Sequence, residues 1–217
     1  MSRIRSVEIA KIITKVASKR KLSIWTVLVS LITVLAVFGS IATSCQESEP
    51  TPNMPTPEEA WAADGMISIR EYNGNIRNGD YSLNWWHDEQ YIYIGIRAQT
   101  SGWVAVGFQP QPLHRETDTV IGFVEDGNTT VLDMYSTGDL GPCVTDTELG
   151  GSDDIIEFGG SEVDGYTTIE FKRRLDTGDE YDRKLVPGIN EIIWAYATLD
   201  DPRQKHFEHG FDEIDLK

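Results

Sequence analysis

Four histidines, His87, His114, His206 and His209, are the residues of this 217-residue chain best suited to metal or proton chemistry. A neutral imidazole ligates transition metals, and its charge changes near neutral pH. His114 sits in PLHRETDTVIG, a polar stretch just ahead of a run that reads as a buried strand. His206 and His209 lie in KHFEHGF, just before a final short strand, and His87 lies in the WWHDEQ turn. Two histidines far apart in sequence, each in a loop flanking a strand of one sandwich, can meet at one end of the fold. Facing each other across a flat cofactor, they would make a six-coordinate haem site. A solvated loop histidine accounts for each position equally well, and for His87 it is the simpler reading.

Other chemistry is sparse. The chain has no G-x-S-x-G, no H-E-x-x-H and no Gly-rich phosphate loop, so the common hydrolase, zincin and nucleotide motifs are absent. It has no C-x-x-C-H, which excludes covalent c-type haem attachment, and no Cys or His pair with zinc-finger spacing. Asp153 and Asp154 read as turn and strand-start residues rather than calcium ligands, and Asp126 as a hairpin-turn residue. Met134, inside a strand, reads as filling, and Met66 as an early-strand residue. Cys143 reads as a spectator thiol. Trp85, Trp86, Trp103 and Trp194 would line a cofactor slot, stack on sugar rings or fill a core, and filling is the commonest fate of such residues.

The elements that must hold these residues are strands. In YIYIGIRA, Ile92, Ile94, Ile96 and Ala98 fall on one face and Tyr91, Tyr93 and Arg97 on the other, the period of a half-buried strand. WVAVGF, TVIGFV, TVLDMY, DIIEF, TTIEFK and EIIWAYA follow, short and rich in β-branched or aromatic residues. Turn signals (SG, EDGN, GG, DG, PG) separate them. No amphipathic helix of ten or more residues stands out after the N-terminal segment. The pattern predicts an all-β fold, an antiparallel sandwich or barrel, with one core over residues 61–217.

Ahead of it, the run from Ser23 to Ser44 carries no charge and follows Lys19, Arg20 and Lys21. Such a run is long enough to cross a bilayer, with its basic flank in the cytoplasm. It ends in IATSC, which resembles a bacterial lipoprotein signal with Cys45 as the lipidated residue, although Ala42 stands where leucine is usual. An uncleaved signal anchor with an incidental Cys45 is the alternative. Either way, residues 1–45 are expected to tether the rest to the membrane outside the cytoplasm. Residues 46–60, QESEPTPNMPTPEEA, read as an extended Pro-rich tether. The chain holds 35 acidic and 19 basic residues, a formal charge of −16. A body this acidic repels phosphate backbones, so nucleic acid is excluded as a partner class, while a cationic partner would be steered towards it.

DGMISIREY, SGWVAVGF, DTVIGFVEDG, DMYSTGDLGP, ELGGSDDI, GYTTIEFKRRLDTGD, IIWAYATLDD and KHFEHGF occur in the order found in DOMON domains. The chain resembles that family from about Asp64 to its C-terminus. The resemblance implies an immunoglobulin-like antiparallel β-sandwich, here preceded by a signal or anchor helix. Several members, the cytochrome domain of cellobiose dehydrogenase among them, bind haem b noncovalently, and others are proposed to bind sugars. The haem members use a methionine ahead of one strand and a histidine near the C-terminus as axial ligands. His206 matches that histidine. The methionine position falls at Leu113 or His114, and neither is methionine. The resemblance therefore implies either a bis-histidine site of His114 and His206, with a lowered reduction potential, or loss of haem. His209 is the runner-up ligand, placed where the family often has an arginine, which favours a polar or propionate-facing role. Trp103 and Trp194 are second-rank lining residues. With haem, the domain would be a one-electron carrier rather than an enzyme, its redox partner unnamed. Without haem, it would be a carbohydrate or small-ligand binding module.

Overall fold

The computed structural model describes residues 56–138 and 143–217. The signal or anchor segment 1–45, Cys45 and most of the 46–60 tether lie outside them. The alternation in YIYIGIRA becomes strand β3 (Tyr91–Ala98), whose Ile92, Ile94, Ile96 and Ala98 are all buried between two sheets. Its other face is covered as well. Trp61 packs edge-on against Tyr93 at 5.0 Å, and its indole nitrogen donates to Tyr72 Oη at 2.9 Å. Tyr72 in turn donates to the buried Glu170 at 2.7 Å, which binds the segment 61–72 across the outside of the sheet.

Eleven strands build the sandwich: β1 (Gly74–Asn78), β2 (Tyr81–His87), β3, β4 (Val104–Phe108), β5 (Asp118–Glu125), β6 (Asn128–Ser136), β7 (Cys143–Thr145), β8 (Glu157–Val163), β9 (Tyr166–Arg174), β10 (Gly188–Tyr196) and β11 (Glu208–Leu216). One sheet has the order β1-β2-β3-β9-β8 and the other β11-β10-β4-β5-β6-β7, with antiparallel pairing throughout. Two single-turn α-helices, α1 (Pro57–Ala60) and α2 (Asp146–Leu149), and a 3-10 turn (Pro112–His114) also lie among the described residues. None of the helices described is long and apolar enough to cross a membrane. Asp126 and Gly127 join β5 to β6 with φ of 51° and 78°, the left-handed pair that a two-residue hairpin turn requires.

Three expectations shift. DIIEF enters a strand only at Glu157, because Asp153 turns back on the backbone nitrogen of Ile155 and Asp133 holds that of Asp154. Met66 lies exposed in an irregular segment rather than a strand, beside the Asp64 turn that binds its nitrogen. His87 ends β2 half-buried rather than solvated, its ring bonded to the carbonyls of Asp88 and Lys217 at 2.9 and 3.1 Å. Met134 is buried, as expected for filling.

At one end of the sandwich Arg173 of β9 reaches across to Asp118 of β5. The pair is bidentate, with Nη1 donating to Oδ1 at 2.9 Å and Nη2 to Oδ2 at 2.6 Å, and neither side chain is exposed. Asp182 accepts from Nη1 at 3.3 Å and Asp133 lies 3.9 Å away. Asp146, also buried, has neither carboxylate oxygen bonded. One guanidinium cannot balance so many carboxylates. Burial pushes Asp133 up to about 8, Asp146 to about 7 and Asp182 to about 6, and neighbouring carboxylates add to the rise.

These shifts set a pH dependence. Carboxyls raised in the fold bind more protons there than in the unfolded chain, so their stabilisation is whole below about pH 4 and is lost as pH rises through 6 to 8. From about pH 6.5 to about pH 8.5 the melting temperature is expected to fall, because the three raised carboxyls outweigh His114 and His206, whose lowered values act in the opposite direction up to about pH 7. Asp146→Asn should flatten that slope in scanning calorimetry, and a flat wild-type profile would contradict the assignment. Arg173→Met, which strands Asp118, is expected to cost about 3–5 kcal/mol in urea denaturation.

Candidate functional site

The outer face of the six-stranded sheet is unusually apolar. Strand register lines up two rows across it. One row runs Phe211, Ile193, Gly107, Thr119, Met134; the other runs His209, Ala195, Ala105, Ile121, Leu132. Small residues occupy the middle of both rows, leaving a trough. A Cβ built on Gly107 would meet Thr117 Cγ2 at 2.6 Å and Ile193 Cγ2 at 2.7 Å, so only glycine keeps this part of the floor open. Trp103, Ala105, Ile121, Met134 and Ala197 form a core cluster of their own here, separate from the one between the sheets. The enclosed part of the trough measures about 90 Å³, and His114 and His206 are among its lining residues.

Three histidines converge over the trough. The His114 and His206 rings are nearly parallel, 9° apart, with centres 6.2 Å from one another. The His209 ring lies 4.2 Å from that of His206 and 5.8 Å from that of His114. One ring nitrogen from each histidine lies within 4.8 Å of the other two.

Each imidazole is held by a different device. His114 closes a 3-10 turn (Pro112–His114) in the connection between β4 and β5, with φ of 69° in the left-handed region. Its nitrogen donates to Gln111 O at 3.1 Å and its carbonyl accepts from Thr117 Oγ1 at 2.9 Å. Strain of this kind persists where the surroundings over-determine the backbone. His206 lies in the β10–β11 connection, whose ends are tied by Phe207 N to Tyr196 O at 2.7 Å and Ala197 N to Trp103 O at 2.9 Å. His209 is not a loop residue, as KHFEHGF suggests, but the second residue of β11 opposite Ala195, so pairing with β10 directs it.

Burial drives the His206 pKa down to about 4, with the charges of His209, His114 and Lys205 pushing the same way. Burial and His209 lower His114 likewise. Both imidazoles are therefore neutral near pH 7, the form that ligates metals.

Trp103 lines the cavity, and its buried indole N–H has no partner. Trp194 does not reach the site. Alternation along β10 turns Ile193 and Ala195 outward and Trp194 inward, where it stacks on Tyr81 at 5.0 Å and fills the space above Gly210. Trp85, Trp86, Trp103 and Trp194 are all buried, so none offers an open face to a sugar ring. Cys143, a free thiol, is a lining residue that the sequence did not point to. Burial raises its pKa, which keeps it protonated and unreactive. Ala105, Gly107, Thr119 and Ala195 were also missed, and their signal was small outward-facing residues in WVAVGF and EIIWAYA. His87 lies in the other sheet, apart from the cluster.

A family model described as the DOMON domain matches residues 77–197. The chain belongs to the DOMON domain family. Curated relatives of this DOMON domain include mouse DBH-like monooxygenase protein 1, 30% identical over 57% of this chain and 19% of that protein. Another is Drosophila melanogaster MOXD1 homolog 2, 31% identical over 58% of this chain and 16% of that protein. The chain thus spans less than a fifth of the length of these relatives. Among solved structures, the cytochrome b domain of pyranose dehydrogenase from Coprinopsis cinerea is similar in fold. Its TM-score is 0.47 at 14% identity, over 63% of this chain and 77% of that one.

The left-handed backbone of His114 is directly testable. His114→Gly should be more stable than His114→Val by about 1–2 kcal/mol in chemical denaturation, because a β-branched side chain suffers most at that φ. Equal stabilities would mean that the turn relaxes without cost.

Proposed function

We propose that this DOMON domain binds haem b noncovalently and carries single electrons, with His114 and His206 as axial ligands. The observation that carries the reading is the pair of neutral, nearly parallel imidazoles 6.2 Å apart over an apolar floor. His114 and His206 would hold the iron through one ring nitrogen each. The donor set fits, since paired imidazoles suit haem iron. The enclosed volume of about 90 Å³ is far smaller than a macrocycle, and the His209 ring, 4.2 Å from that of His206 and 5.8 Å from that of His114, stands in the space between them, so haem would enter only with His209 swung outward. The fit therefore rests on the open side of the slot, where Phe211, 6.3 Å from the His114 ring, presents exposed aromatic surface.

When bound, the haem supplies one-electron redox chemistry at its iron. The chain's residues do the rest. His114 and His206 would fill both axial positions, which removes a site for oxygen and makes the domain a carrier. Replacing the family's methionine with an imidazole would lower the potential. Gly107, Ala105 and Ala195 keep the slot open, and Ile121, Ile193 and Trp103 keep it apolar. In this reading residues 1–45 tether the domain to the membrane outside the cytoplasm, by a lipid on Cys45 or by an uncleaved helix. The acidic body, at −16 for the whole chain, would steer a redox partner with a basic docking face.

The test is the absorption spectrum of protein produced with ample haem, before and after dithionite. Expected are a sharp Soret shift and an α band on reduction. His114→Ala and His206→Ala should each convert the spectrum to a high-spin form or abolish haem uptake. A wild-type protein that stays colourless would overturn the reading, and glycan affinity in that protein would favour the binding-module alternative.

A further inference from the structure

In the haem reading His114 and His206 would hold the iron. His209 is left over, yet it is not remote. Its ring is the nearer neighbour of His206, 4.2 Å against 6.2 Å for His114. The three donors reach this point from a 3-10 turn, a loop and a strand, and they still bring one nitrogen each within 4.8 Å of the others.

We propose that His114, His206 and His209 together form a three-nitrogen site for one divalent first-row transition cation, Zn²⁺ or Cu²⁺, when the domain holds no haem. The proposal does not rest on the haem reading, because it turns on the residue that reading leaves unused. Three imidazoles bound at about 2.0–2.1 Å place their nitrogens about 3–3.5 Å apart in a tetrahedral array. The donors have only to draw together from separations of at most 4.8 Å. His209 is exposed and the other two are half-buried, so side-chain rotation supplies the adjustment.

The donor chemistry selects the metal class. The set is all imidazole, which suits zinc and copper, whereas calcium and magnesium need oxygen. The fourth position faces the cavity of about 90 Å³ over Ala105, Gly107 and Ala195, which has room for a water or a small anion. Metal and haem share two ligands and so exclude one another.

The experiment uses the full chain, haem-free and detergent-solubilised, titrated with Zn²⁺ by calorimetry and with Cu²⁺ by electron paramagnetic resonance. Wild type should bind one equivalent, with nitrogen superhyperfine structure on the copper signal. His209→Ala and His209→Gln should each weaken Zn²⁺ binding by at least about tenfold and leave the melting temperature of the metal-free protein unchanged. His114→Ala should impair both ligands, while His87→Ala impairs neither. Absence of one-equivalent binding in wild type, or His209 variants that bind as wild type does, would falsify the proposal. Metal binding that depends on His209 in a protein that takes up no haem would sink the haem reading alone.

Discussion

The bidentate pair of Arg173 and Asp118 is the constraint on which the rest of the architecture turns. It joins the two sheets at one end of the sandwich, with both charges out of water. Asp118 is also the first residue of β5, and its carboxylate accepts the backbone nitrogen of Arg183 at 2.8 Å. The Arg183 side chain then donates to the carbonyl of Glu116 at 2.6 and 3.0 Å. The turn that carries His114 is thus fastened two residues later to a group locked into the interior. A lysine could not replace Arg173, because only a planar fork satisfies both oxygens of one carboxylate while reaching Asp182.

Local forces overrule the global charge at the histidine cluster. A chain with a net charge of −16 would be expected to raise imidazole pKa values. His114 moves the other way under burial and the charge of His209, and His206 under burial and the charges of His209, His114 and Lys205, with no carboxylate among the causes. Desolvation acts at the atom, whereas most of the acidic residues act through a screening length of about 8–10 Å. The acidity therefore bears on what approaches the domain and not on the protonation of the site.

Much of the sandwich was legible because side-chain period reports burial directly, as in Ile92, Ile94, Ile96 and Ala98. The same rule fails where polarity hides the pattern. Ile169, Phe171 and Arg173 share the inward face of β9, but FKRRL reads as solvated charge because a buried guanidinium depends on carboxylates distant in sequence. His209 was misplaced in a loop for a related reason. KHFEHGF has no apolar alternation of its own, and it becomes a strand through hydrogen bonds to β10. The meeting of His114 and His206 was one possibility among several in the residues themselves, and family resemblance singled it out, since the two stand 92 positions apart and no local rule brings two connections together. The floor was legible least, because alanine and glycine announce themselves by what they leave empty.

That floor also bears on evolution. The inter-sheet core and the outer trough are carried on opposite faces of the same strands, with Val104, Val106 and Trp194 serving one and Ala105, Gly107 and Ala195 the other. A larger residue at Ala105 or Ala195 would fill the trough without touching the inter-sheet contacts, whereas any side chain at Gly107 would strain against Thr117 and Ile193. The two faces of these strands can therefore change separately, the trough through its alanines and the inner core through its valines and tryptophan.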